Sequence, residues 1–185
     1  MVNSGRGLAV DFLPHSQADL PSPALHISYD GTEFEEVLVN EWKDVVMIDG
    51  KKRQFLYQQG YNYKKKEGFS RTINSDGSTY HEKYSVDHIT MVSLEEMMVA
   101  FEIFKNHPDV KKILSKETLP ISIYGGFSFN DKKKNEPCYK GTRCVHIMAS
   151  SENNALLVNS IVKLNDKTVP YPVFDMNELK KRDEK

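Results

Sequence analysis

Cysteine and tryptophan are nearly missing from this chain, which has two of the first and one of the second in 185 residues. Small secreted domains that cannot bury enough apolar surface are stapled by several disulfides. So few thiols favour a reducing compartment, and a cytoplasmic location is the expectation. Cys138 and Cys144 are near enough to close a short loop, but without further Cys or clustered His they fall short of a zinc site. Strong net charge is also missing: the formal value is −1, so no global field draws the chain to nucleic acid or membrane, and any such attraction must be local. No apolar run is long enough to cross a bilayer. Asp11, His15 and Asp19 interrupt the N-terminal stretch where a signal peptide would need its apolar core. The chain therefore reads as soluble, with no membrane partner.

The familiar catalytic loops are missing too. Gly125-Gly126 lacks the Lys-Ser/Thr ending of a phosphate loop and the spacing of a dinucleotide fingerprint, and no serine sits in a Gly-x-Ser-x-Gly elbow. The acidic run Glu33, Glu35, Glu36 and Glu41 reads as a solvated face rather than a metal site. No cofactor and no metal is expected.

What is present is the pattern of an α+β domain. Hydrophobic residues make up 39% and charged residues 28%, a globular balance, and the length suits one core. Residues 1–23, ending in Pro21-Ser22-Pro23, read as an extended arm, residues 24–168 as a single α+β domain, and residues 169–185 as a C-terminal tail. Residues 24–29 read as a short strand. Residues 33–43, with Phe34, Val37, Leu38 and Trp42 at helical spacing, allow a short helix, although Val37 and Val39 leave a strand open. Two Asp-Gly dipeptides, Asp49-Gly50 and Asp76-Gly77, lie between β-rich runs. Each tolerates the positive φ of a tight hairpin, so residues 45–92 read as an antiparallel meander of about four strands, the last running from 78 to 92.

Ser93 and Glu96 then spell a capping box, and Leu94, Met97, Met98, Phe101 and Phe104 make the apolar face of a helix over 93–106. Pro108 opens a second, short helix through Leu114. Residues 121–129 and 143–149 read as strands, with a bulge at Gly125-Gly126, and residues 155–164 lean towards helix. The fold expected is a mostly antiparallel sheet of five to seven strands with the capped helix packed across one face.

Three functional readings follow. The first is a non-catalytic protein-interaction or assembly component, within a homo-oligomer or larger complex, because acidic (30–44) and basic (51–71) blocks of opposite sign can register copies or steer partners. The second is single-stranded RNA or DNA binding. Lys51, Lys52, Arg53, Lys64, Lys65, Lys66 and Arg71 interleave with Tyr57, Tyr61 and Tyr63, and lysines track phosphates while bases stack on aromatic faces. Lys132, Lys133, Lys134, Lys140 and Arg143 would extend that surface. The bland alternative is a hairpin whose aromatics pack inward and whose lysines guard an edge.

The third reading starts from His88-Ile89-Thr90-Met91, which resembles half of the signature of the two-histidine phosphoesterases, where paired His-x-Thr/Ser motifs on neighbouring strands supply acid and base. The resemblance implies that His88 and Thr90 would act with His146. In the second motif, however, Met148 stands where a hydroxyl is required, and a thioether donates no hydrogen bond to phosphate. The activity is not carried over on that resemblance, and the chain is read as leaning away from an enzyme.

Overall fold

A computed structural model describes residues 35–175; the expected arm, the strand at 24–29 and the end of the tail lie outside these. The described chain is α+β and mostly sheet. Its element order is β1 (Glu36–Ile48), β2 (Lys51–Asn62), β3 (Glu67–Asn74), β4 (Thr79–Ser85), α1 (Leu94–Asn106), α2 (Pro108–Leu114), β5 (Ile121–Phe129), β6 (Cys144–Ser151), β7 (Leu156–Lys163) and β8 (Thr168–Tyr171). The strands form two antiparallel four-stranded meanders, β1-β2-β3-β4 and β5-β6-β7-β8, rather than one sheet.

Both Asp-Gly corners are hairpin turns. At the first, Asp49 and Gly50 take φ 52° and 74°, the paired positive values of a two-residue turn that follows the strand twist. At the second, Gly77 alone is positive at 86°, and Asp76 Oδ1 accepts from the Ser78 N–H at 2.9 Å. The capping box is present in full. Ser93 Oγ accepts from the Glu96 N–H at 3.1 Å, and Glu96 Oε2 accepts from the Ser93 N–H at 2.8 Å. Helix α1 packs against the second sheet, burying Val99, Ala100, Ile103 and Phe104. The Gly125-Gly126 bulge also holds, because a side chain on Gly126 would strike Met97 Sδ at 2.7 Å.

Three sequence expectations are corrected. Of the segment 33–43 expected to allow a helix, residues from Glu36 on belong to β1 instead, whose mostly exposed length hides the two-residue alternation. Residues 155–164 hold strand β7, not helix. Val158, Ile161 and Val162 are β-branched and buried on both faces of a central strand, so again no alternation shows. The last strand of the first meander stops at Ser85, not at 92, because a turn follows in which Ser85 Oγ and its carbonyl accept from the N–H groups of Asp87 (3.1 Å) and His88 (3.2 Å).

Residues read as the start of a tail also carry structure. Phe174 is buried with Cys138, Cys144 and Ile161. Cys138 and Cys144 form a disulfide, both sulfurs deep in that cluster. This removes the ground on which scarce cysteine argued for a reducing compartment. No helix among the described residues is long and apolar enough to cross a membrane.

Candidate functional site

Two regions gather the residues that the sequence singled out. The first is the joint between the two sheets. Arg143 enters β6 from a loop and is almost wholly buried, at 4% exposure, against Glu96 at 0%. Its guanidinium donates through Nε to Glu96 Oε1 (2.8 Å), through Nη2 to Glu96 Oε2 (2.7 Å) and to the Met91 carbonyl, and through Nη1 to the Thr90 carbonyl (2.9 Å) and hydroxyl (3.1 Å). Tyr63, just past β2, donates its hydroxyl to Glu96 Oε1 at 2.6 Å. Tyr61 lies under the guanidinium, 5.2 Å from ring to cation, and donates to the Gly141 carbonyl at 2.7 Å.

The fork of a bidentate arginine thus ties the first sheet, the β4–α1 connection, the helix N-terminus and the second sheet together. Burial works to lower the Arg143 pKa, but the bonds and charge of Glu96 outweigh it and hold it above the ordinary value. Burial first, and then the Glu96 carboxylate, push the Tyr63 hydroxyl well above its usual range.

This joint absorbs several candidates. Tyr61 and Tyr63 share a face as expected, with ring centroids 4.8 Å apart, but they face inward and present no open platform to a base. Arg143, read as part of a second basic surface, is an interior cation. Thr90 is buried, and its carbonyl also accepts from Ser128 Oγ at 2.7 Å. His88 sits on the loop after β4 rather than on a strand. Its carbonyl would lie 1.9 Å from a side chain at Gly68, which shows how closely that loop is pressed on β3.

His88, Tyr61, Ser128 and Arg143 line a cleft of about 20 Å³, room for about one water. His146 does not line it. Its Nε2 meets Asn159 Oδ1 on β7, with the Phe174 ring 6.2 Å away. The two histidines are therefore held by different neighbours, and the structure does not bring them together in that cleft. A substrate site is ordinarily an order of magnitude larger than this cavity.

The second region is the β1–β2 hairpin. The two strands pair from Glu36↔Asn62 to Ile48↔Lys51, whereas β3 reaches only to Phe55↔Asn74, so residues 45–54 project past the sheet as a two-stranded ribbon. Register places Trp42, Val46, Lys51, Arg53, Phe55 and Tyr57 on one face. The Trp42 and Tyr57 rings stack at 5.3 Å and 12°, while Phe55 lies 6.3 Å from Tyr57 and 5.1 Å from Tyr80. Lys51, Lys52 and Arg53 are exposed near the tip.

The other basic residues of this stretch lie elsewhere, and three of them are engaged. Lys64 pairs with Glu35, and Lys65 Nζ stands 3.2 Å over the Tyr84 ring. Arg71 reaches Glu36 (3.0 Å) and Glu82 (2.6 Å). Lys66 occupies a turn with φ 56°.

Sequence reasoning missed Trp42 as the partner of Tyr57, because residues 33–43 read more readily as helix. It also missed the Glu96–Arg143 pair, because the capping box already accounts for a Glu at N3 and nothing local marks Arg143 as its partner. Compared with known proteins, the chain matches no family model and no curated protein.

Proposed function

We propose that this chain is a non-catalytic protein-interaction or assembly component that works through the β1–β2 hairpin. One observation carries the reading: β1 is thirteen residues long, and apolar side chains stand along its outer edge beside Glu41, Lys43 and Asp44. Among the described residues only β2 pairs with it, and it exposes Leu38, Trp42, Val45 and Met47, the last two at 54% and 58%. The other edges are guarded. β8 is four residues long and contains Pro170, β5 is kinked at its glycines, and the exposed part of β4, which also shows Tyr80, carries charge at Glu82 and Lys83. A long edge with apolar side chains is a template for adding a strand.

The test is sedimentation of the full chain alone and in titration with extended peptides of alternating valine and lysine. Association by either route is expected, and Lys43→Pro, which removes one edge donor, should weaken it. A chain that stays monomeric and binds no such peptide overturns the proposal.

A second reading, single-stranded nucleic-acid binding, is favoured by one specific feature: Lys51 and Arg53 share a face with the Trp42–Tyr57 stack. Titration with oligothymidine should then quench Trp42 fluorescence, weaken with salt, and fade in Lys51→Ala/Arg53→Ala. No quenching at low salt removes this reading. The placements of His88 and His146 give phosphoester chemistry no support.

A further inference from the structure

We infer that the edge of β1 that no other described strand covers pairs antiparallel with the same edge of a second copy of this chain, about a two-fold axis at Trp42, so that two four-stranded sheets become one. This rests on the assembly reading above and names its partner. The direction of each backbone group follows from the turn. Because Asp49 and Gly50 both have positive φ, Ile48 and Lys51 flank a two-residue hairpin and exchange both backbone bonds. Counting back in steps of two, Val46, Asp44 and Trp42 aim their N–H and C=O groups into β2. Met47, Val45, Lys43 and Glu41 aim theirs outward. The Val45 N–H agrees, since it is taken by Asp44 Oδ1 at 2.7 Å.

The charge pattern then selects the register. With the axis at Trp42, Glu41 stands opposite the partner's Lys43 and Lys43 opposite the partner's Glu41, two opposite-charge pairs at hydrogen-bonded positions. Gln58 already holds the Glu41 carboxylate at 2.7 Å. Trp42 meets the partner's Trp42 at a non-hydrogen-bonded position, where cross-strand side chains lie closest. Moving the axis one residue sets Lys43 on the partner's Lys43, or Glu41 on the partner's Glu41, and like charges directly opposite are destabilising. Asp44 works in the same direction by occupying the Val45 donor. A register centred nearer the tip would have to displace it, whereas the central bonds of the Trp42 register come from Glu41 and Lys43. Pairing runs out at the bulge between Leu38 and Asn40.

The experiment is sedimentation of the full chain and three variants, with far-UV circular dichroism confirming that each is folded. The unaltered chain should be dimeric. Lys43→Glu should weaken the dimer about tenfold or more, because both pairs become repulsive. Glu41→Lys/Lys43→Glu should restore it, because the two charges only trade places across the axis. Trp42→Cys should form a covalent dimer on mild oxidation, since the Cα separation at that position falls within disulfide range. A dimer indifferent to the charge changes, and not cross-linked through Trp42→Cys, overturns this interface. A monomer that still binds the extended peptides overturns self-pairing while leaving the assembly reading intact; a monomer that binds none removes both.

Discussion

Arg143→Met tests whether the interior ion pair is what couples the two sheets. The substitution keeps most of the side-chain volume but removes all of the donor bonds from Arg143 to Glu96, Thr90 and Met91. Glu96, fully buried, keeps the Ser93 N–H and the Tyr63 hydroxyl and loses its counter-charge. The Thr90 carbonyl keeps Ser128. Removing one partner of a buried pair costs about 3–5 kcal/mol, because the other charge is stranded away from water. In a domain of this size that lowers Tm by roughly 10–20 °C.

Glu96→Gln strands the arginine instead. The double variant Arg143→Met/Glu96→Gln leaves no unpaired charge and retains a capping residue at N3, since Gln serves there as well. Urea titration should therefore give a double-variant loss smaller than the sum of the singles by about 1 kcal/mol or more. Two probes read it: Trp42, the sole tryptophan, reports the first sheet, and far-UV circular dichroism reports α1. They should coincide in the unaltered chain and separate in Arg143→Met. Additive losses, or an Arg143→Met cost below about 1 kcal/mol, would refute the reasoning.

Two further outcomes are expected. The Cys138–Cys144 bridge spans a sequence separation of 6, for which the chain-entropy picture gives about 2 kcal/mol. Reduction should lower Tm by roughly 5 °C, and iodoacetamide should label the native chain only after reduction; labelling without reductant would show that the thiols are free. The second outcome concerns acid. The hydrogen bond from Arg71, and then its charge, hold the Glu82 carboxyl below its ordinary pKa. A depressed folded pKa means that the stability it contributes is present above the unfolded pKa and is lost as pH falls through the folded one. A carboxyl NMR titration should show Glu82 returning towards its ordinary value in Arg71→Ala; an unmoved midpoint would assign the depression to another group.

The elements legible in the sequence were those whose signal is local. Ser93 and Glu96 fix the start of α1 by satisfying its first donors, Pro108 opens α2 because a first turn needs no N–H, and Asp49-Gly50 forces a hairpin through positive φ. None of these depends on what packs against it. Where tertiary context decides, the signal failed. β7 is buried on both faces, so its apolar run carries no period to separate strand from helix. β1 is exposed on most of its length, so its pattern is set by neighbours that the local sequence does not name. The site divides in the same way. The basic-aromatic character of residues 51–57 could be read directly, but whether a given tyrosine faced outward could not. Tyr57 meets Trp42 at the surface, while Tyr61, four positions on, turns under Arg143 and Tyr63, six positions on, reaches Glu96.

That division of the aromatics gives the hairpin its mechanical sense. An isolated two-stranded ribbon is marginal in water, yet residues 45–54 extend past β3 with no third strand beside them among the described residues. They hold their shape because the same two strands, at their other end, place Tyr61 and Tyr63 in the joint with Arg143 and Glu96. The interior charges thus anchor the root of the ribbon, and the stacked Trp42 and Tyr57 stiffen its middle. Adding a strand to the β1 edge would complete what the fold leaves open, and would require little ordering of the chain at the moment of association. A rigid, rooted edge loses less conformational entropy on pairing than a loose one. The joint and the edge are in this sense a single device, and loosening Arg143 should weaken association at β1 although no atom of the joint touches the partner.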